Sequence, residues 1–256
     1  MTRLRSLFTA SMLLVASAAS LQAQAAAAPP AKVDSLEGQA SFGLALTSGN
    51  SNASTFDLSD KLKYTKRGWS FGQDLKYFYG EADDKVTADF WSTGVRIERR
   101  LMPRVGMFFL TRWDRNLLQG ISSRFEESVG FDFTAVDAPK DKLIFTLGAS
   151  AFQQELTPGS TSTFKGNYPA ARLAGDYKHK FAEKAYFQQT VEYLPNLSEA
   201  SAYLINGEST LVAPLIANLG LKVSSVVRYN SQPPYKNGVQ LKTTDRFFST
   251  AITYSF

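Results

Sequence analysis

The sequence contains no cysteine and only one histidine, His179. Without cysteine there can be no disulfide bond, thiol nucleophile, cysteine metal site or acylated cysteine to anchor a lipoprotein. A single histidine leaves no partner for a histidine metal site, and no loop carries the pattern of a calcium site. We therefore expect no metal and no cofactor.

Long apolar runs and concentrated positive charge are also missing. Past the N-terminal segment, no apolar run approaches the roughly 18 residues that a membrane helix needs. Lysine and arginine total 28 against 23 acidic residues, and no stretch concentrates them. Nucleic-acid binding therefore has little support, and we expect no nucleic-acid partner.

The N-terminal segment has the features of a secretory signal. Arg3 and Arg5 precede an apolar core from Leu7 to Ala19, and small residues follow at Ala23-Gln24-Ala25. This core is too short to span a membrane, which favours a cleaved signal peptide over a membrane anchor. We predict a signal peptide over residues 1–25, a linker over residues 26–35, and export. A buried N-terminal helix is the less favoured alternative.

The rest of the chain alternates between apolar and polar residues with a period of two, as in Leu143, Phe145 and Leu147. This period is that of a β-strand with one apolar and one polar face. Phe247, Phe108 and Leu110 break the alternation because they fall on the polar side. We predict twelve strands, near residues 37–47, 54–65, 69–80, 89–101, 105–117, 124–136, 142–156, 169–181, 185–194, 203–213, 217–230 and 243–256.

The connections between these strands are sorted by length. Those after the second, fourth, sixth, eighth and tenth strands are short, and those after the third, seventh, ninth and eleventh are longer. A soluble β-sandwich has no reason to sort its loops in this way, whereas outer-membrane barrels have short periplasmic turns and longer external loops. We predict an all-β fold, a single antiparallel transmembrane β-barrel over residues 36–256, in the outer membrane of a Gram-negative bacterium.

Aromatic residues support the membrane interpretation. They cluster near predicted strand ends, where barrels carry interfacial girdles. The predicted girdle residues are Tyr64, Trp69, Tyr77, Tyr79, Phe90, Trp91, Trp113, Tyr193, Tyr203, Tyr229 and Phe256.

The last strand ends AITYSF, with Ile252, Tyr254 and Phe256 on one face. A terminal phenylalanine with alternate apolar residues resembles the signal that the outer-membrane assembly machinery recognises. We therefore expect that machinery and outer-membrane lipids as partners.

Short motifs in the chain resemble those of a known family. Gly43-Leu44, Thr47–Ser51, Thr244-Asp245 and Tyr254–Phe256 are similar to a family described as salt-induced outer-membrane proteins and classed as a domain of unknown function. The resemblance runs from about Glu37 to Phe256. It implies an outer-membrane barrel with a link to salt or osmotic stress, and it implies no catalytic residues. The Ser48–Asn52 stretch itself reads as a tight turn, because Gly and Asn accept positive φ.

The polar faces of the strands carry charges of both signs. Such charges must pair across strands or face a wet lumen, because burying them alone is prohibitive. Twelve strands lie between the filled eight-stranded barrel and the open sixteen-stranded porin. A narrow channel for ions or small polar solutes and a closed structural barrel acting through its loops are therefore both open. The predicted lumen residues are Lys61, Lys63, Asp74, Lys76, Arg96, Glu98, Arg112, Asp114, Asp132, Arg172, Asp176, Lys178, Glu192, Lys222, Arg228 and Asp245, with Asp57, Glu126 and Glu208 on the same faces.

Catalysis is the third and least favoured alternative. His179 lies on the parity assigned to lipid, where a barrel hydrolase could place a Ser–His pair. No spacing argument pairs Ser209, Ser249 or Thr250 with it. We therefore predict no catalytic residues and no enzymatic activity.

Overall fold

The computed structural model describes residues 34–47, 53–162 and 166–256. The predicted signal peptide, the predicted linker up to residue 33 and the Ser48–Asn52 turn lie outside these ranges. In the part of the chain that is described, no helix is long and apolar enough to cross a membrane.

Twelve long antiparallel strands close into a barrel, in which each strand pairs with its neighbours along the chain and the last pairs with the first. The predicted fold class and strand count are confirmed. The long strands are β1 (Ser35–Thr47), β2 (Ala53–Lys66), β3 (Trp69–Ala82), β4 (Lys85–Met102), β5 (Val105–Asn116), β6 (Ile121–Asp137), β7 (Asp141–Leu156), β9 (Asn167–Lys180), β10 (Tyr186–Pro195), β11 (Tyr203–Ile216), β12 (Leu219–Asn230) and β15 (Thr244–Ser255), and the short ones are β8 (Ser160–Thr161), β13 (Tyr235–Lys236) and β14 (Val239–Gln240).

The two faces of the wall differ as the sequence period predicts. Outward side chains are large, apolar and exposed, as for Leu147 at 62% and Phe131 at 53%, whereas Ser128 on the inner face is almost fully buried. So much exposed apolar surface is not compatible with water and is the surface of a barrel that spans a bilayer.

Aromatic contacts lie near both ends of the outer wall. Trp69 stacks beside Phe71 at one end, and Tyr203 lies between Tyr193 and Tyr229 at the other. Phe90, which we predicted for a girdle, faces inward instead and is buried.

At one end of the barrel all connections between strands are short, and we call it the short-turn end; the opposite end is the long-loop end. The short connections are residues 67–68, 103–104, 138–140, 181–185 and 217–218.

The connection after β3 does not follow the predicted alternation of short and long connections. β3 and β4 pair up to Ala82 and Lys85, so Asp83 and Asp84 form a two-residue turn where we predicted a longer loop. Both have positive φ, which aspartate tolerates and which two-residue hairpins of this kind require.

Loops at the long-loop end meet over the barrel mouth. β13 pairs with both β8 and β14, so loops from different sides of the barrel form a small three-stranded sheet that the sequence did not predict. Gly120, in the join between β5 and β6, lies against Leu241, Ser160 and Pro234. We call residues 117–120, 157–161 and 231–243 the cap.

We call the junction of β1 and β15, where the barrel closes, the seam. It has fewer paired residues than any other junction between two long strands of the described chain. Its register runs only from Gln39 opposite Ser255 to Phe42 opposite Ile252, whereas β1 pairs with β2 along its whole length. Two backbone hydrogen bonds between Gly38 and Phe256 extend this pairing by one residue, and within it the Ser41 hydroxyl donates to that of Thr253 at 3.0 Å. The seam is therefore where the closed wall is easiest to open.

We predict that Gly43→Ala weakens this seam. An added Cβ would lie 2.5 Å from the carbonyl oxygen of Thr250 on β15, and backbone cannot move aside as a side chain can. We expect a loss of about 1–3 kcal/mol in the free energy of unfolding, measured by denaturant titration of the refolded barrel. Gly207→Ala is the matched control, since its nearest neighbour would be 4.0 Å away. Equal unfolding midpoints for the two variants would contradict the prediction.

Candidate functional site: the charged lumen

The inner face of the barrel carries the charged residues predicted for it. The predicted lumen residues, from Lys61 to Asp245, lie on the inward face of their strands. This is the face that carries buried residues such as Ser59, Ser92, Ser128 and Ser224. Their environments change along the barrel axis in three layers.

The first layer is a water-accessible region at the short-turn end. Lys63 is half exposed and lies 3.6 Å from Glu98, and Lys61 is exposed beside it on β2. Lys178 lies over the ring of Tyr186, and Gln188 donates to Asp176. We call this layer the vestibule.

Arg96 marks the inner limit of the vestibule. Its guanidinium donates to Asp132 at 2.5 Å and covers the ring of Phe108 at 3.8 Å. Phe108 and Leu110, which broke the sequence alternation, are therefore inner residues, buried beneath the charged groups.

The second layer consists of buried ion pairs. Arg172 on β9 is 4% exposed and contacts both Glu126 on β6 and Glu192 on β10. Arg124 makes two hydrogen bonds to Asp114, at 2.9 and 3.2 Å. Buried charges of this kind are tolerated only when each meets its counter-charge.

Other ion pairs complete this layer. Arg112 lies 3.7 Å from Asp74, and Lys76 pairs with Glu208. β3 and β11, which carry Lys76 and Glu208, are separated by four strands along the shorter way round the barrel, so that pair crosses the lumen. The lumen is narrow enough for opposite walls to touch.

The third layer, toward the long-loop end, is apolar. The ring of Phe247 lies 5.3 Å from that of Phe78 and 5.8 Å from that of Phe90. We call these three rings the plug. Phe247 breaks the sequence alternation because its partners lie across the seam on β3 and β4, which was not visible in the sequence. Arg228 covers the ring of Phe90 at 4.2 Å, and Asn116 reaches Asp245 at 3.0 Å above the plug.

A second apolar cluster fills the opposite side of this layer, from Phe152 and Tyr168 to Leu194 and Leu204. These residues were not among the predicted lumen residues, all of which are charged. The sequence marks them only as large apolar residues on the otherwise polar face of their strands.

A small cavity of about 40 Å³ lies between the ion pairs and the plug, lined by Lys76, Glu208, Lys222, Ser224 and Phe247 among others. Within the described residues, Ser224 Oγ has no hydrogen-bond partner, and Lys222 donates only to Ser59. The cavity exceeds the roughly 10–15 Å³ that one water needs. It can hold water or a small ion.

His179 lies on the outer wall at the short-turn end, as its parity predicted. Its Nδ1 is 2.7 Å from Asp141 Oδ1, which also accepts from the Tyr177 hydroxyl at 2.8 Å. Ser209 bonds to Gln189 on β10, and Ser249 faces the inner cavity. The fold thus brings neither serine to His179. Among the described residues, no group of three acidic, histidine or cysteine side chains is placed to hold a metal.

A family described as "Protein of unknown function, DUF481" matches residues 40–256. The uncharacterized protein YdiY of Escherichia coli (strain K12) is 22% identical over 221 residues, which cover 86% of this chain and 82% of that protein.

Several solved porins are similar in shape. The NanC porin has a TM-score of 0.48 at 9% identity, over 87% of this chain and 99% of that one. The KdgM porin has a TM-score of 0.43 at 12% identity, over 88% and 99% of the two chains. The anion-selective porin from Comamonas acidovorans has a TM-score of 0.42 at 9% identity, over 87% and 99%. Scores and identities this low carry no argument about activity.

We predict that Arg172→Ala strongly destabilises the barrel. The change leaves the buried Glu126 and the partly buried Glu192 without their shared cation. Removing one partner from a buried pair costs about 3–5 kcal/mol, and denaturant titration of the refolded protein measures it. Lys66→Ala is the control, since Lys66 and Asp34 form an exposed pair at 3.9 Å and such pairs contribute less than about 1 kcal/mol. A similar loss of unfolding free energy in both variants would show that burial does not determine how much the Arg172 ion pairs stabilise the barrel.

Proposed function

This chain belongs to the DUF481 family of proteins of unknown function, and for it we propose the role of a narrow outer-membrane channel for ions and small polar solutes. The observation that carries the proposal is the layered lumen, in which water-accessible charged side chains at one end are followed by ion pairs, a small cavity and the apolar plug. A barrel that served only as a support would have no need of a hydrated, charged entrance.

The location in the outer membrane is part of the proposal. The outer wall is apolar with aromatic residues near both ends, and short turns are periplasmic in barrels of this membrane. The vestibule would then open to the periplasm and the cap would lie outside the cell. Ile252, Tyr254 and Phe256 are exposed on the outer wall near the short-turn end, where the assembly machinery would reach them.

The plug would act as the gate. Hydrophobic constrictions stop ions by excluding water, without any need for a charged barrier. Phe78, Phe90 and Phe247 meet across the seam, so a modest movement of their strands would open or close the path.

A closed structural barrel is the second candidate, and specific contacts favour it. Side chains bridge opposite walls at Lys76–Glu208 and Gln39–Tyr186, and the cap covers the long-loop end. Such a barrel would act through its loops. The link to salt or osmotic stress stays an expectation of the family resemblance. We propose no enzymatic role, because His179 meets no nucleophile among the described residues.

We predict that Phe247→Ala raises single-channel conductance. The change removes the ring that contacts both other members of the plug and leaves a wetter constriction. Planar-bilayer recordings of the refolded protein measure it. Phe248→Ala is the matched control on the neighbouring residue, since Phe248 is 67% exposed on the outer wall.

Discrete current steps that grow only in Phe247→Ala would support the channel. Silence from wild type and both variants, each shown to be folded by its heat-dependent electrophoretic mobility, would reject the channel and leave the closed barrel.

We also predict that the vestibule sets ion preference. Lys61→Glu combined with Lys178→Glu replaces two inner cations with anions at the accessible end of the lumen. Charge rings select against ions of like sign, so the reversal potential in a KCl gradient should shift toward that of K⁺. Arg115→Glu, on the outer wall at the other end, makes the same type of charge change outside the lumen. An equal shift in that control would mean that net charge, not the vestibule, controls selectivity.

A further inference from the structure

The outer wall is not uniform, because an apolar groove of about 530 Å³ lies across β4 to β7. Outward side chains that include Ile97, Met107, Phe109, Val129 and Leu147 line it. Ala149 gives the groove its depth, because it presents only a methyl group opposite Val129. The groove runs from the membrane-facing middle of the wall toward the short-turn end.

Trp69 and Arg99 form the rim of the groove at that end. Arg99 lies over the ring of Trp69 at 5.1 Å and donates one N–H to the carbonyl oxygen of Arg67 at 2.9 Å. A guanidinium has five donors, so this contact orients Arg99 without using its full capacity. Tryptophan is typical of the headgroup level of a bilayer.

The rim is positively charged, because arginines from neighbouring segments lie near it. Arg67 lies in the turn after β2, Arg99 lies on the outer face of β4 near its end, and Arg104 lies in the turn before β5. The segments 66–72 and 99–108 contain no acidic residue. An apolar groove that ends at a cationic rim is complementary to a molecule with an apolar chain and an anionic head.

We propose that the groove and Arg99 bind one glycerophospholipid of net negative charge, such as phosphatidylglycerol. An acyl chain would lie against Ile97, Phe109 and Leu147, and the phosphate would accept hydrogen bonds from the guanidinium of Arg99. Arginine is suited to phosphate because its planar donors engage two oxygens at once. A zwitterionic lipid is a poorer fit, since its own ammonium group offsets the charge that the rim attracts. The proposal requires a barrel in a bilayer and does not depend on conduction.

The test uses Trp69 as the reporter. Trp91→Phe with Trp113→Phe leaves Trp69 as the single tryptophan of the chain, which has three. The mature protein is refolded into phosphatidylcholine vesicles that contain a small fraction of either phosphatidylglycerol or phosphatidylcholine with brominated chains. Bromine quenches tryptophan at contact, so quenching at equal mole fraction compares the occupancy of the groove by the two lipids.

We expect brominated phosphatidylglycerol to be about fivefold more effective, in line with one basic group at a membrane surface. Arg99→Gln should abolish this preference. Arg115→Gln should keep it, because Arg115 lies on the outer wall at the other end and faces Asp89. Ala149→Phe should fill the groove and reduce quenching, and Ala171→Phe, at the adjacent outward position on β9, should not.

Equal quenching by the two lipids in the parent protein would overturn the proposal and needs no variant to interpret. A preference that survives Arg99→Gln would also overturn it, because the rim would not be its source. Weak quenching by both lipids would also overturn the proposal, because no lipid chain would then lie in the groove beside Trp69. Heat-dependent electrophoretic mobility confirms that each variant is folded before it is compared.

Discussion

Closure of the sheet is the constraint on which this structure depends. Hydrocarbon offers no water to backbone amides, so every strand must have a neighbour on both sides and an open edge is not tolerated. Here the first and last strands complete the wall through only a short run of paired residues, from Gln39 to Phe42 on β1. The joining of β15 to β1 also places Phe247 near Phe78 and Phe90, so the same closure that satisfies the backbone assembles the plug.

The number of strands then decides the character of the lumen. An eight-stranded barrel is filled by its own side chains, and sixteen or more strands leave an aqueous channel. With twelve strands, Lys76 can still reach Glu208 on the far wall, and Gln39 can reach Tyr186. Charges near the short-turn end stay hydrated, whereas Arg172 deeper in the barrel requires two carboxylates to compensate for the water that it has lost.

The outer wall constrains the size of its side chains less than the lumen does. Lipid chains accept any apolar surface, so side-chain size can vary there without cost to the fold. Ala149 beside Leu147 and Val129 makes a recess, and the arginines of two neighbouring turns give its end a charge. The wall can therefore carry recognition without any change to the strand pairing that supports it.

The sequence alone determined the barrel and the facing of its side chains, because the period of two is a local property of each strand. Alternation placed Lys61, Arg172 and Asp245 on the inner parity and His179 on the outer one. It did not give the partners of these residues. Arg172 meets Glu126 and Glu192 from strands before and after its own, and such contacts depend on strand register and barrel diameter.

The tertiary structure alone decided what closes the lumen. The cap forms where loops distant in the chain meet, as when Tyr235 pairs with both Thr161 and Gln240, and no local pattern marks those residues as strands. Phe247, Phe108 and Leu110 disturbed the alternation in the sequence, yet only the closed wall shows them as inner packing residues. Local periodicity fixes which way a side chain points, and the path of the whole chain fixes what it meets there.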